Sequence, residues 1–275
     1  MVPGQEVTTF SVTISDAPET RAAVTNLTRY VMEVYEGDVA SGTPTEHIEQ
    51  SGNSFSLYLD KNKAYTVLFW ADYGTPVSSG TADGNDYDAS DLKAVKIKAS
   101  TNPSNAAWGG KTSVASGENT GTKSVTLPHA VAQVNYKQLT SEAFAEASNT
   151  LTITFPATYS LNVFDRTVTE LRNSGAAIPV THTFSITSAT QKDLGTSYVI
   201  ARGDGTDDKT IMDITAVFQA GTSAAEPSRT ISNIPMRYNF RTNITGAYSN
   251  IHNLTITVEC DDEWESPDND VTFPI

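Results

Sequence analysis

The sequence predicts an all-β protein made of two sandwich domains in tandem. Three observations carry that expectation. Short runs alternate apolar and hydroxyl-bearing residues, as in Val7 to Ile14 and Leu254-Thr255-Ile256-Thr257-Val258. Successive strand residues point to opposite faces, so each such run is oily on one side and polar on the other. Clusters of Gly, Asn, Asp and Ser cut the runs at short spacing with little helical pattern between them, which favours packed antiparallel sheets. At 275 residues the chain has room for two medium domains. A boundary near Lys123 divides it into residues 1–123 and 124–275.

The elements follow in order. Val7 to Ile14 is a first strand, broken by Asp16-Ala17-Pro18-Glu19-Thr20, with Arg21 and Ala22 in an exposed connection. Arg29 to Glu36 is the second, ended by Gly37-Asp38, and Ser54 to Asp60 the third. Tyr65 to Asp72 is the most continuously apolar run, hence a central strand buried on both faces. Residues 73–91 read as a long polar loop. Leu92 to Lys98 reads as an edge strand with lysines outward. Asn102 to Gly121 reads as a second loop, followed by strand at Ser124 to Leu127 and Ala130 to Tyr136. Ser141 to Ala147 has a Ser cap, a first-turn Glu and several Ala, the one helical signal. Strands are then expected near Leu151–Phe155, Leu161–Phe164, Val180–Ile186, Ser197–Ala201, Lys209–Phe218, Ser228–Ile234 and Asn253–Val258.

Composition narrows the function. A hydrophobic content of 38% with three Trp, eleven Tyr and ten Phe supports real cores. The net charge of −14 and pI near 4.6 argue against a nucleic-acid backbone or an anionic membrane surface as partner. With Cys260 alone, an intramolecular disulfide and a two-cysteine metal site are ruled out. Cys260 reads as a partly buried small hydrophobe, and the acids that follow it raise a thiol pKa. No apolar run approaches the ~20 residues that span a bilayer. Met1-Val2-Pro3-Gly4 reads as a trimmed start, so an export signal is expected upstream.

Three segments together resemble a known family. Tyr65-Thr66-Val67-Leu68-Phe69-Trp70-Ala71-Asp72 is similar to the "FWAD" strand of Bacteroidetes fimbrillin-like proteins. Leu127-Pro128-His129-Ala130-Val131-Ala132-Gln133-Val134 resembles their "L-x-R-x-x-A-K-V" strand, with His129 and Gln133 where the family usually carries basic residues. Arg237-Tyr238-Asn239-Phe240-Arg241-Thr242-Asn243-Ile244-Thr245-Gly246 resembles the "R-N-Y-R-T-N-I-x-G" signature. The family comprises major and accessory subunits of type V pili. The resemblance implies two tandem transthyretin-like Greek-key sandwiches and an outer-membrane lipoprotein precursor. It also implies cleavage by a trypsin-like protease after the first strand, here at Arg21-Ala22, and filling of the vacated groove by a strand of the next subunit. That is β-augmentation, and a head-to-tail contact that does not close yields a filament. Val271-Thr272-Phe273-Pro274-Ile275 alternates as a donor must, with Pro274 lacking a ladder donor. The anchoring cysteine is absent from this sequence and is expected to precede it.

Candidate chemistry is sparse. His47, His129, His182 and His252 show no metal-ligand spacing and read as structural or surface residues. Asp83 to Asp91 and Asp204 to Asp208 are oxygen-rich and could be weighed as Ca²⁺ loops. The first lacks the EF-hand order and closing Glu, and Arg202-Gly203-Asp204-Gly205 reads above all as a hairpin turn rather than an adhesion tripeptide. No serine-hydrolase, zincin or P-loop motif occurs. Trp70 reads as core; Trp108, in a loop, is the one candidate for a surface ligand contact. The expectation is a non-enzymatic fimbrial subunit with no cofactor or metal. Its partners are other fimbrial subunits and, in an adhesive role, host or bacterial surface ligands. The alternatives weighed are a surface glycan-binding lipoprotein of a polysaccharide-uptake system and a hydrolase with dispersed carboxylates.

Overall fold

The alternating runs pair into sheets, and no α-helix occurs among the described residues. The structure is a computed structural model. It describes residues 4–15, 27–77, 85–98, 103, 105–139, 143–146, 148–202, 210–248, 256–261 and 272–273. The chain forms two compact units, one from Met1–Lys96, Asn105–Ala130 and Leu161–Thr167, the other from Ile97–Ser104, Val131–Ser160 and Val168–Ile275.

In the first unit the strands are β1 (Gln5–Ile14), β2 (Arg29–Glu36), β3 (Glu46–Gln50), β4 (Ser54–Asp60) and β5 (Tyr65–Asp72). The short β6 (Tyr87–Asp88) and β7 (Val95–Ile97) follow, then β8 (Trp108–Val114) and β9 (Gly121–Leu127). One sheet has the order β4-β1-β9 and the other β3-β2-β5-β8. They face each other through Phe10, Phe55 and Phe69, with the Phe10 and Phe69 ring centres 5.6 Å apart. β5 is buried along its whole length, as its unbroken apolar run predicts. Its inner side chains meet the first sheet. On its outer side Tyr87 packs edge-on to Trp70, and beside it on β2 the Tyr35 ring carries the Lys93 ammonium at 4.9 Å.

In the second unit the strands are β10 (Ala132–Gln138), β11 (Asn149–Phe155), the short β12 (Tyr159–Leu161), β13 (Val168–Glu170), β14 (Arg172–Asn173) and β15 (Ala176–Ala177). They continue with β16 (Val180–Ile186), β17 (Asp193–Val199), β18 (Thr210–Ala220), β19 (Arg229–Met236), β20 (Arg241–Gly246), β21 (Ile256–Asp261) and β22 (Thr272–Phe273). The sheets are β17-β10-β20-β21-β22 and β16-β11-β18-β19. Their core includes Val134, Tyr136, Leu151, Ile153, Ile214 and Ile244. Gly195 of β17 lies where Phe184 of β16 leaves no room for a side chain.

The units repeat one wiring diagram. β1 runs antiparallel to β4 and parallel to β9, as β10 runs antiparallel to β17 and parallel to β20. In the other sheets, β3-β2-β5-β8 and β16-β11-β18-β19 take strands in the same sequential places, all antiparallel. Among the described residues, only the second unit continues beyond its last shared strand, with β21 antiparallel to β20.

Several expectations are corrected. The helical signal at Ser141 to Ala147 yields no helix in its described residues 143–146. Phe144 is drawn into the core instead, stacked on Phe218 at 5.5 Å with its N–H on Ala189 O, and that tertiary anchor outweighs a two-turn propensity. Leu92 to Lys98 contributes only Val95–Ile97 to a strand, because Leu92 is buried and Asp91 Oδ1 turns the chain by accepting from Lys93 N. The loop expected over Asn102 to Gly121 contains β8. The run Leu161 to Phe164 bends after Leu161, where Asn162 Oδ1 accepts from Phe164 N and Arg166 takes φ 59°.

Candidate functional site

The first strand lies in the middle of its sheet, not at an edge. Seven residues of β1 pair with β4, from Gln5↔Asp60 to Ser11↔Ser54. Seven pair with β9, from Thr8↔Gly121 to Ile14↔Leu127. The strand is pinned beyond its ladders too. Val12 N donates to Asn53 O and Asn53 Nδ2 donates to Val12 O, both at 2.9 Å. Ser15 donates through N and Oγ to Leu127 O. Taking β1 away would leave a slot walled by backbone on both sides, with the second sheet as its floor.

The inward face of β1 carries Thr8, Phe10 and Val12, all buried. Phe10 fills the floor against Phe69. Thr8 is fully buried, yet its Oγ1 has no hydrogen-bond partner among the described residues. An orphaned buried hydroxyl costs about 1–3 kcal/mol. The outward face is open. Val7 is 41% exposed beside Tyr58 at 54%. Thr9 shares a hydrogen bond with Ser56, and Thr13 with Thr126, both on the exposed surface.

The topological counterpart, β10, is held differently. Its outward row is buried and tied by amides. Gln133 Nε2 and Thr196 Oγ1 both donate to Asn135 Oδ1, and Asn135 Nδ2 donates to Asn243 Oδ1 at 2.9 Å. Two of the three resemblance segments thus meet as neighbouring parallel strands, with Asn135 opposite Asn243.

Downstream of β1, the start of β2 is fastened independently. Arg29 Nε lies 2.6 Å from the Glu49 carboxylate, and its Nη1 lies 3.6 Å from Asp72 and donates to Tyr87 O. Burial pushes the Asp72 carboxyl above its usual range, against the pull of Arg29 and of hydrogen bonds from Trp70 and Gly74. Thr28 adds two bonds, from N to Asp72 O and from Oγ1 to Gly74 O. Glu33 accepts from Tyr35 OH at 2.6 Å and pairs with His47 at 3.0 Å, a contact that raises the His47 pKa.

The residues singled out from sequence fall as follows. Arg21 and Ala22 lie outside the described residues, as do Asp204 to Asp208 and His252. Trp108 is not exposed. It opens β8 at 1% exposure, 4.7 Å from the His129 ring and edge-on to Tyr73, so the surface contact assumed for it is corrected: Gly109 and Gly110 beside it mark close packing, not a loop. Within Asp83 to Asp91, Asp88 accepts from Ser90 and pairs with Lys96 at 3.2 Å, so its oxygens serve a turn and an ion pair. Of the donor candidate 271–275, Thr272–Phe273 form β22 against β21. Sequence reasoning missed Thr8, whose signal was a threonine on the apolar side of an alternating strand. It also missed Asn135 and Asn243, paired polar residues in the resemblance segments or just beyond them.

The profile of a family of unknown function, DUF6562, matches residues 3–274. No curated protein matches the sequence. Among solved structures, one from Bacteroides ovatus, provisionally described as a cell adhesion protein, superposes with a TM-score of 0.57 at 10% identity, covering 95% of this chain and 98% of its own. A similarly described protein from Bacteroides uniformis gives 0.55 at 10% identity over 95% and 99%. Another from Bacteroides eggerthii gives 0.50 at 14% identity over 96% and 97%. Identities this low speak for a shared fold alone.

Proposed function

From the premise that this chain belongs to the DUF6562 family, we propose that it is a structural subunit of a cell-surface fimbria of the type V pilus kind. In this reading its two units are transthyretin-like Greek-key sandwiches. It reaches the outer membrane as a lipoprotein precursor and assembles with other fimbrial subunits by protease-triggered strand exchange. In an adhesive role it contacts host or bacterial surface ligands. The likeness in fold to Bacteroides proteins described in cell-adhesion terms supports a surface role.

One observation carries the mechanism. β1 is the first strand among the described residues, is flanked by backbone on both sides, and is open to solvent on its outer face. A cut in residues 16–26, with Arg21-Ala22 the candidate bond, would sever its only covalent tie to β2. The Arg29 cluster would keep β2 in place. The vacated slot offers two rows of backbone donors and acceptors and an apolar floor, which an extended segment of another subunit satisfies. No catalytic step is called for.

The test is direct. After limited trypsin digestion, the cut site is identified by mass spectrometry and the product is followed by size-exclusion chromatography and denaturing gels. Cleavage within residues 16–26, loss of the 1–21 fragment and a ladder of oligomers are expected. A cut product that keeps its first strand and stays monomeric at high concentration would rule out a shaft subunit.

A further inference from the structure

We propose that the free edge of β16 is a self-association surface: two copies of this chain pair antiparallel through Val180–Ile186 about a two-fold axis at Thr183. The contact is separate from the slot around β1 and goes beyond the strand-exchange reading.

The edges of the four sandwich sheets are protected very unequally. An edge strand offers a row of unpaired N–H and C=O groups, and charge, proline, bulges or shortness keep a second chain away from it. β3 carries Glu46 and Glu49, β8 carries Lys111 and β9 carries Lys123. β4 ends in Asp60, whose carbonyl accepts from Asn119 Nδ2. β17 begins with Asp193, and its register shifts against β10. β19 contains Pro235 and a bulge, with Asn233 at φ 58°. β22 is two residues long. β16 has none of these devices. Its seven residues pair with β11 without a break, and no strand among the described residues lies on their other side. From Asn173 to Gln191 the sequence has no Asp, Glu, Lys or Arg. His182 is buried, which holds its pKa down to about 4 and leaves it uncharged at neutral pH.

Charge names the partner. A two-fold contact sets each residue near the axis against its own copy, so any charge there repels itself. In a chain of net charge −14, an uncharged edge is the kind that self-pairing requires. The two faces of the strand suit it as well. Opposite residues of an antiparallel pair point to the same side, and a centre at Thr183 is the one that pairs all seven residues. On the outer face Thr183 meets Thr183 of the second copy and Thr181 meets Ser185. These repeat the hydroxyl pairs that β16 already makes with β11, Thr154 with Thr181 at 3.0 Å and Thr152 with Thr183 at 3.5 Å. On the inner face Phe184 meets His182 and Val180 meets Ile186. Phe184 is the inward residue of β16 left partly exposed, while Val180, His182 and Ile186 are buried. The contact covers what remains of it. Seven paired residues make a small contact, below the ~1,200–2,000 Å² of a stable interface. The dimer is therefore weak, and gains strength where many copies are arrayed together.

The experiment uses the uncut chain, in which β1 is retained and strand exchange does not operate. Sedimentation velocity over a rising concentration series is run on the parent, Thr183→Lys and Thr215→Lys, with far-ultraviolet circular dichroism to confirm folding. Thr215 lies on β18, opposite Thr154 and away from the edge. In a Cys260→Ser background, Thr183→Cys and Thr215→Cys are oxidised and read on non-reducing gels. We expect a concentration-dependent dimer in the parent and in Thr215→Lys, and one about tenfold weaker in Thr183→Lys, where two ammonium groups face each other. Thr183→Cys should cross-link and Thr215→Cys should not, since opposite Cα atoms of an antiparallel pair lie ~4.5–5.5 Å apart, within disulfide reach. A parent that stays monomeric at every concentration would overturn the proposal. A dimer that Thr183→Lys leaves unchanged, or equal cross-linking of the two cysteine variants, would overturn the assignment to β16. Each of these results leaves strand exchange standing, because the chain was never cut.

Discussion

His182 shows how one buried side chain couples stability to pH. It is 1% exposed in β16, its Nδ1 lies 2.7 Å from Ser197 Oγ, and burial holds its pKa down to about 4. Below its ordinary value of ~6.5 the unfolded chain binds a proton that the folded chain refuses. Stability from this group is therefore whole above pH ~6.5 and falls as pH drops toward 4, by about 3 kcal/mol in all. The unfolding free energy lost between pH 7.5 and 4, from urea titrations at each pH, should be smaller in His182→Gln than in the parent by that amount. Phe10 acts through volume alone. Phe10→Ala should cost about 3–5 kcal/mol of the first unit's stability, seen as a lower urea midpoint and faster amide exchange in β1.

At the scale of elements, β1 and β10 occupy equivalent places under different restraint. Asn135 accepts two hydrogen bonds and donates one within a buried row. Asn135→Leu removes the acceptor of Gln133 Nε2 and Thr196 Oγ1 and the donor to Asn243 Oδ1, and should cost about 1–3 kcal/mol of stability, read as a lower urea midpoint, while leaving exchange at β1 unchanged. β8 shows what pattern reading cannot see. Trp108-Gly109-Gly110 looks like a turn, yet a Cβ on Gly109 would lie 3.2 Å from Trp70 Cε3 and one on Gly110 3.2 Å from Leu127 Cδ2. The glycines are there because neighbours crowd them. Gly109→Ala should cost about 1–3 kcal/mol in thermal unfolding, since Trp70 is held by its bond to Asp72 and cannot yield freely. β5 was legible for the opposite reason: burial on both faces erases alternation and leaves a continuous apolar run.

At the scale of the molecule, the all-β class and most strands of both units could be read from local pattern, because alternation is local. The central position of β1 could not. It depends on a parallel pairing between residues 8–14 and 121–127, and nothing within either strand announces its partner. The same holds for the slot: Thr8 looks ordinary in sequence and becomes informative only when its surroundings leave its oxygen alone. A chain lacking residues 1–26 should keep its far-ultraviolet circular dichroism, bind a hydrophobic dye at the uncovered floor, and self-associate in sedimentation velocity. Loss of β structure on truncation would mean that β1 is integral to folding rather than separable from it.

The mixed pairing of β1 has a last consequence. A strand laid between β4 and β9 in the direction of β1 keeps one antiparallel and one parallel ladder, and a reversed one would exchange the two. In either direction the contact joins unlike surfaces of two copies. If copies of this chain link through that opening, every joint is oriented like an arrow, so the fibre has a head and a tail that differ chemically and can be extended or capped separately.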